Sequence, residues 1–178
     1  HRGPLRDGLN AVQALKRNLD TWRDPSARDA EKAIALCWIL HITGDLHQPL
    51  HSVALFSQDL FPEGDRGGNL IEVRWGRETR NLHYVWDSLV DDARDVDVST
   101  AGLQATRQGG IEDATIEGWS RQHANLARLS VYTGEVFAQL IAARAAENLS
   151  PISVSDAYIK HARAISVRQL QLAGRRAA

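Results

Sequence analysis

The sequence predicts a mainly α-helical single domain with one short β-hairpin. Three observations carry that expectation. Apolar residues recur at helical spacing over most of the chain. Only NLIEVRW alternates as a strand does, and clusters of proline, glycine and serine fall between the helical stretches. With 178 residues the chain is long enough to bury one core.

In LNAVQALKRNL, residues 9–19, Leu9, Val12, Leu15 and Leu19 fall at helical spacing, with a polar opposite face. TWRDPSARD breaks the pattern at Pro25, and Ser26 is the expected cap of the next helix, with Asp29 three residues on as an imperfect capping box. From Ala27 to about Asp45 the sequence reads as a long, mostly buried helix, which Pro49 ends or turns. SQDLFPEGDRGGN is a loop by composition. NLIEVRW sets Leu70, Glu72 and Arg74 against Ile71, Val73 and Trp75, and GRETR follows as the turn of the hairpin. NLHYVWDSLV returns to a helical pattern, and residues 91–110 read as a loop. Three further helices are expected over 111–129, 131–147 and 154–174. Pro151 and SPISVS separate the last two, and Gly174 is the expected stop.

Apolar residues make up 43% of the chain and charged residues 24%, with a formal net charge of -1. No global basic field is present to attract nucleic acid, so any such binding must be local. The single cysteine, Cys37 in ALCWIL, excludes an internal disulfide and reads as a buried thiol. No apolar run approaches the ~20 residues of a membrane span. The opening HRGPLRDGLN shows no signal-peptide pattern, and the chain lacks methionine, so it is expected to begin partway through a longer polypeptide.

The chemistry concentrates in HITGDLHQPLH, residues 41–51. His41 and Asp45 are four residues apart, about 40° apart around a helix axis, so both leave one face. Pro49 then breaks the helix and lets His51 swing back toward them. A second pair with the same spacing, His83 and Asp87, lies in NLHYVWD. A lone pair of this kind is ordinarily a surface or core polar pair. Two pairs, with three of the seven histidines crowded into one segment, point to metal ligation. Five such ligands exceed what one catalytic zinc takes and suit a multinuclear site. His47 lies on a different helical face and reads as a supporting or structural residue. His123 and His161 have no acidic residue four positions away and read as ordinary polar side chains.

The ordered pattern HxxxDxHQPLH, then DRGGN, then NLHxxWD resembles that of the zinc-dependent S1/P1 nucleases, relatives of zinc phospholipase C. The resemblance extends to the upstream helix, the hairpin and the closing DAYIKHARAISVRQLQLAGRRAA. It implies a helical domain of the phospholipase C/P1 nuclease type, present here as its C-terminal two-thirds. The implied enzyme carries three Zn2+ and hydrolyses single-stranded DNA and RNA to 5′-phosphorylated products. His41 would bind one ion of a close zinc pair and Asp45, the catalytic bridge, would join that pair. His51, His83 and Asp87 would hold the third zinc, and Gly67 and Asn69 would contact a nucleobase. The remaining ligands of the close pair lie upstream in the family and have no counterpart here. Such an enzyme is expected to be a monomer that is secreted or periplasmic, acting on single-stranded nucleic acid or nucleotides. A zinc phospholipase C and a non-catalytic helical domain stabilised by one zinc are the competing readings. The first typically has Glu where this chain has Asp87 and lacks the pairing of RGGN with NLH.

Overall fold

A computed structural model describes residues 9–90, 115–145 and 151–177. The expected loop over 91–110 lies outside them, as do the start of the 111–129 stretch and the end of the 131–147 stretch. The described architecture is mainly α, as predicted, with one two-stranded sheet. Among the described residues no helix is long and apolar enough to cross a membrane.

Helix α1, Ala11–Arg23, begins at Asn10, whose side chain and that of Gln13 close a capping box. Helix α2, Asp29–His47, starts two residues later than predicted. Ser26 is not its cap, because its backbone N–H and hydroxyl both donate to Asp24. Glu31 does the capping instead, accepting from the Arg28 backbone at 3.0 Å and pairing with its guanidinium at 2.9 Å. Nor is α2 mostly buried. Ala35, Ile39, Ile42 and Leu46 form its inner stripe, while Ile34 is 61% and Trp38 51% exposed. Cys37 lies on that outer side and is exposed, contrary to expectation.

Past Gln48 the chain turns into a 3₁₀ segment, Pro49–Ser52, with proline in its first turn. Strand β1, Glu72–Trp75, pairs antiparallel with β2, Glu78–Asn81, Val73 opposite Arg80. The predicted turn GRETR therefore shrinks to Gly76 and Arg77, and ETRN is strand. Ile152 adds a parallel bridge to β1, so the Ser-rich linker around it is paired to the sheet. Helix α3, Leu82–Ser88, is capped by Asn81. Helix α4, Ile116–Leu126, runs into a π-helical turn, Ala127–Val131. Then come α5, Gly134–Ala145, and α6, Asp156–Ala177. The last helix continues through Gly174, where a stop was predicted. Three residues are added, among them Arg176, which reaches His47 and Gln122 and keeps the final turn engaged.

Two hydrophobic clusters result. One joins the hairpin, α3, α5 and α6 through Leu50, Val73, Trp86, Val131 and Tyr158; the other joins α1, α2 and α4 through Leu15, Ile39, Leu46 and Trp119. Leu46 belongs to one cluster and Leu50 to the other. The segment carrying Asp45 and His51 thus spans the seam between them.

Candidate metal centre

The fold brings all five predicted metal ligands into one chain of contacts. His41 Nε2 lies 3.1 Å from one Asp45 oxygen, and the other oxygen lies 3.7 Å from His51 Nδ1. His51 Nε2 is 3.1 Å from His83 Nε2 and 3.9 Å from Asp87, and His83 Nε2 is 3.5 Å from Asp87. The two imidazoles stack with centroids 4.8 Å apart and planes inclined by 15°. Among the described residues, His51, His83 and Asp87 form the group of at least three His, Cys, Asp or Glu side chains whose ligand atoms approach one another closely enough for a metal, all within 4.8 Å.

Sequence accounts for this convergence locally. Continuing α2 would carry residue 51 about 240° around the axis from Asp45. Pro49 prevents that and the 3₁₀ turn folds His51 back. On α3, four-residue spacing stacks His83 and Asp87 on one face.

The donor set fits a zinc-sized ion. Tetrahedral coordination at ~2.0–2.1 Å places neighbouring ligand atoms ~3.3 Å apart, within the span of separations found here. Protonation fits as well. The Gly67 carbonyl accepts from His83 Nδ1 at 2.7 Å, so Nδ1 carries a proton and the neutral ring would present its Nε2 lone pair to the site. Burial is the largest influence on His51 and holds its imidazole below the ordinary histidine range, with the Asp45 carboxylate pulling the other way. A neutral imidazole is the form that binds metal.

Two residues that the sequence did not single out organise this group. The Gln48 amide donates to Asp87 at 2.8 Å while its carbonyl caps the Leu50 N–H, tying the His51 turn to the Asp87 helix. Asp65, wholly buried, accepts from the backbone N–H groups of Leu55, Gly67 and Gly68 at 2.8–3.0 Å and from the Tyr132 hydroxyl at 2.7 Å. Gln48 lay visible inside HQPLH. An aspartate before glycines reads as turn composition, so nothing at Asp65 signalled burial.

Gly67 is buried at φ +63°, and a Cβ there would lie 2.6 Å from the Leu50 carbonyl oxygen, so only glycine lets the loop press on the His51 turn. Asn69 is exposed, its amide donating to the Arg66 carbonyl and its oxygen accepting from Asn81. An open cleft of about 460 Å³ is lined by Asp45, His51, His83, Gly67 and Arg66.

His47 lies outside the group. It is buried, donates from Nδ1 to the Thr43 carbonyl at 2.6 Å, and accepts from Arg176 at 2.8 Å. His123 is not an ordinary polar residue: it is fully buried, bonded to the Trp119 carbonyl and beside the Gln169 amide. His161 is exposed and lies outside the group.

A helical scaffold that brings two histidines and a carboxylate from two elements together defines a class, helical proteins with a His/Asp group whose geometry could hold a metal ion. The chain belongs to the S1/P1 nuclease family, whose model matches residues 5–178. It is 36% identical over 88 residues to Endonuclease 2 of Arabidopsis thaliana, a stretch covering 49% of this chain and 27% of that one. To Endonuclease 4 of Arabidopsis thaliana it is 48% identical over 56 residues, 32% of this chain and 16% of the other. To Nuclease S1 of Aspergillus oryzae it is 41% identical over 63 residues, 35% and 19% of the respective chains. The matched stretches thus span well under half the length of these relatives.

Proposed function

We propose that this chain is part of a zinc-dependent phosphodiesterase that hydrolyses single-stranded DNA and RNA to 5′-phosphorylated products, with 3′-nucleotidase activity. The observation that carries the reading is the convergence of His51, His83 and Asp87 within ligand-sharing distance, beside the His41–Asp45 pair. His51, His83 and Asp87 would hold one zinc, with a coordination position left for water or substrate. His41 and Asp45 would contribute to a close pair. Asp45 directs one oxygen toward His41 and the other toward His51, so it stands between the His41 side and the three-residue group. Zinc at these residues, when bound, supplies Lewis-acid stabilisation of phosphoryl oxygens and acidifies water.

The chain's own groups supply orientation. Gly67 and Gln48 fix the donor atoms of His83 and Asp87, and the Arg66 side of the cleft offers positive charge to a phosphate. Gly67 lines the cleft, and Asn69, two residues further along the same loop, would offer a nucleobase both a donor and an acceptor. The names of the relatives, endonucleases and a nuclease, support nucleic acid rather than lipid as substrate. Secretion or periplasmic residence and a monomeric state go with the same proposal.

The test uses the complete protein. Release of 5′-phosphorylated nucleotides from denatured DNA, abolished by Asp45→Ala, is the expected result. Release of phosphocholine from lecithin without nucleotide release would favour the phospholipase reading. One zinc per chain without hydrolysis of either substrate would favour a structural zinc.

A further inference from the structure

Gly67 and Gly68 both have positive φ, +63° and +82°, and the peptide bond between them is trans. Its carbonyl, that of Gly67, accepts from His83 Nδ1 at 2.7 Å; its N–H, that of Gly68, donates to Asp65 at 3.0 Å. In a trans peptide these two groups point in opposite directions. Gripping the N–H on one side therefore aims the carbonyl at His83 on the other. A peptide between two glycines has less steric resistance to rotation than any other, because neither neighbour carries a Cβ.

We infer that Asp65 is a positioning residue that locks the Gly67–Gly68 peptide in the one orientation committing His83 to its Nδ1–H tautomer. Turned over, the same peptide would present the Gly68 N–H to His83 Nδ1. The imidazole would then accept there and carry its proton on Nε2, the atom that faces His51 and Asp87, and could not ligate a metal through it. Asp65 is equipped to prevent this. It holds the N–H groups of both Gly67 and Gly68, is braced by the Leu55 N–H on the incoming side of the loop, and is fixed by the hydroxyl of Tyr132, the residue that ends the π-helical turn. Burial and the adjacent Asp65 carboxylate hold the Tyr132 phenol well above its ordinary range, so it remains a donor. The lock thus extends from the π-helical turn through the loop to a ligand atom.

The role assigned to His83 rests on the zinc reading above, and the experiment separates the two. In Asp65→Asn the amide nitrogen is expected on the side of Gly68 and Tyr132, where the hydroxyl can accept from it, because the other side faces two N–H donors, Leu55 and Gly67; the Gly68 N–H then loses its acceptor. The tautomer of His83 is read from imidazole ¹⁵N shifts in metal-free chain at neutral pH, and zinc affinity by competition with a chromophoric chelator. Wild type is expected to show Nδ1–H. Asp65→Asn is expected to shift population to Nε2–H and to bind zinc about tenfold more weakly, as outer-shell changes do. A folded Asp65→Asn chain with the Nδ1–H signal and zinc affinity intact overturns the lock, as does a wild type found as Nε2–H. Where Asp65→Asn does not fold, Tyr132→Phe takes its place; a smaller shift in the same direction supports the lock, and none overturns it. A wild type that shows Nδ1–H but takes up no zinc supports the lock and defeats the metal reading.

Discussion

Two pairs of histidines in this molecule have the same ring spacing, 4.8 Å, and opposite fates. His51 and His83 stack in an open cleft, while His47 and His123 meet edge-on in the interior. Both pairs contain an imidazole whose Nδ1 donates to a backbone carbonyl, so that feature does not separate them. What separates them is the far nitrogen. In the cleft the two Nε2 atoms face each other beside Asp87; in the interior one is taken by Arg176 and the other lies beside Gln169. Proximity of histidines is thus no sign of a metal site until the partner of each Nε2 is known.

The sharpest way to break the comparison is to remove the carboxylate beside the open pair and one histidine of the buried pair. Asp87→Ala is expected to weaken zinc binding by more than the ~100-fold upper range of outer-shell changes, whereas His47→Gln leaves zinc affinity unchanged. Chelator competition on both variants checks it, and equal losses would erase the distinction.

Acid should expose the second pair. Burial lowers His47 from its ordinary value to about 4, the positive charge of Arg176 working in the same direction. Its folded pKa is below its unfolded one, so the native state binds fewer protons between them. The stability this contributes is complete above about pH 6.5 and is lost as pH falls toward 4, roughly 3 kcal/mol in all. His123, also depressed chiefly by burial, adds in the same direction. Urea unfolding of metal-free chain at several pH values should show that slope, and His47→Gln should flatten it.

Gln48→Ala gives a smaller effect. Asp87 loses its amide donor, so zinc affinity should fall about tenfold while stability changes by about 1 kcal/mol. An unchanged affinity would mean that Asp87 needs no orienting. His161→Ala, on an exposed helical face, should shift neither property beyond ~0.5 kcal/mol.

Much of the centre was legible because it depends on local periodicity. Four-residue spacing put His41 with Asp45 and His83 with Asp87, and a proline explained the return of His51. The hairpin was half legible: Ile71 and Val73 alternate inward, but ETRN is polar throughout and all but Asn81 exposed, so nothing marked it as strand. The outer face of α2 was illegible for the opposite reason, since apolar residues surround that helix and no period says which side is covered. Asp65 was hidden because its partners are backbone groups and a tyrosine 67 residues away, which composition cannot register. Gly174 failed as a stop because Arg176 finds partners beyond it.

The half-exposed indole of Trp38 meets the His41 ring edge-on, with centroids 5.7 Å apart. That contact gives the protein its own optical reporter. An ion or proton arriving at His41 changes the charge beside an emitting ring that water already reaches. Loading of the His41–Asp45 side is therefore expected to register as a change in tryptophan fluorescence that Trp38→Phe removes, while filling of the other three-residue group leaves that signal in place.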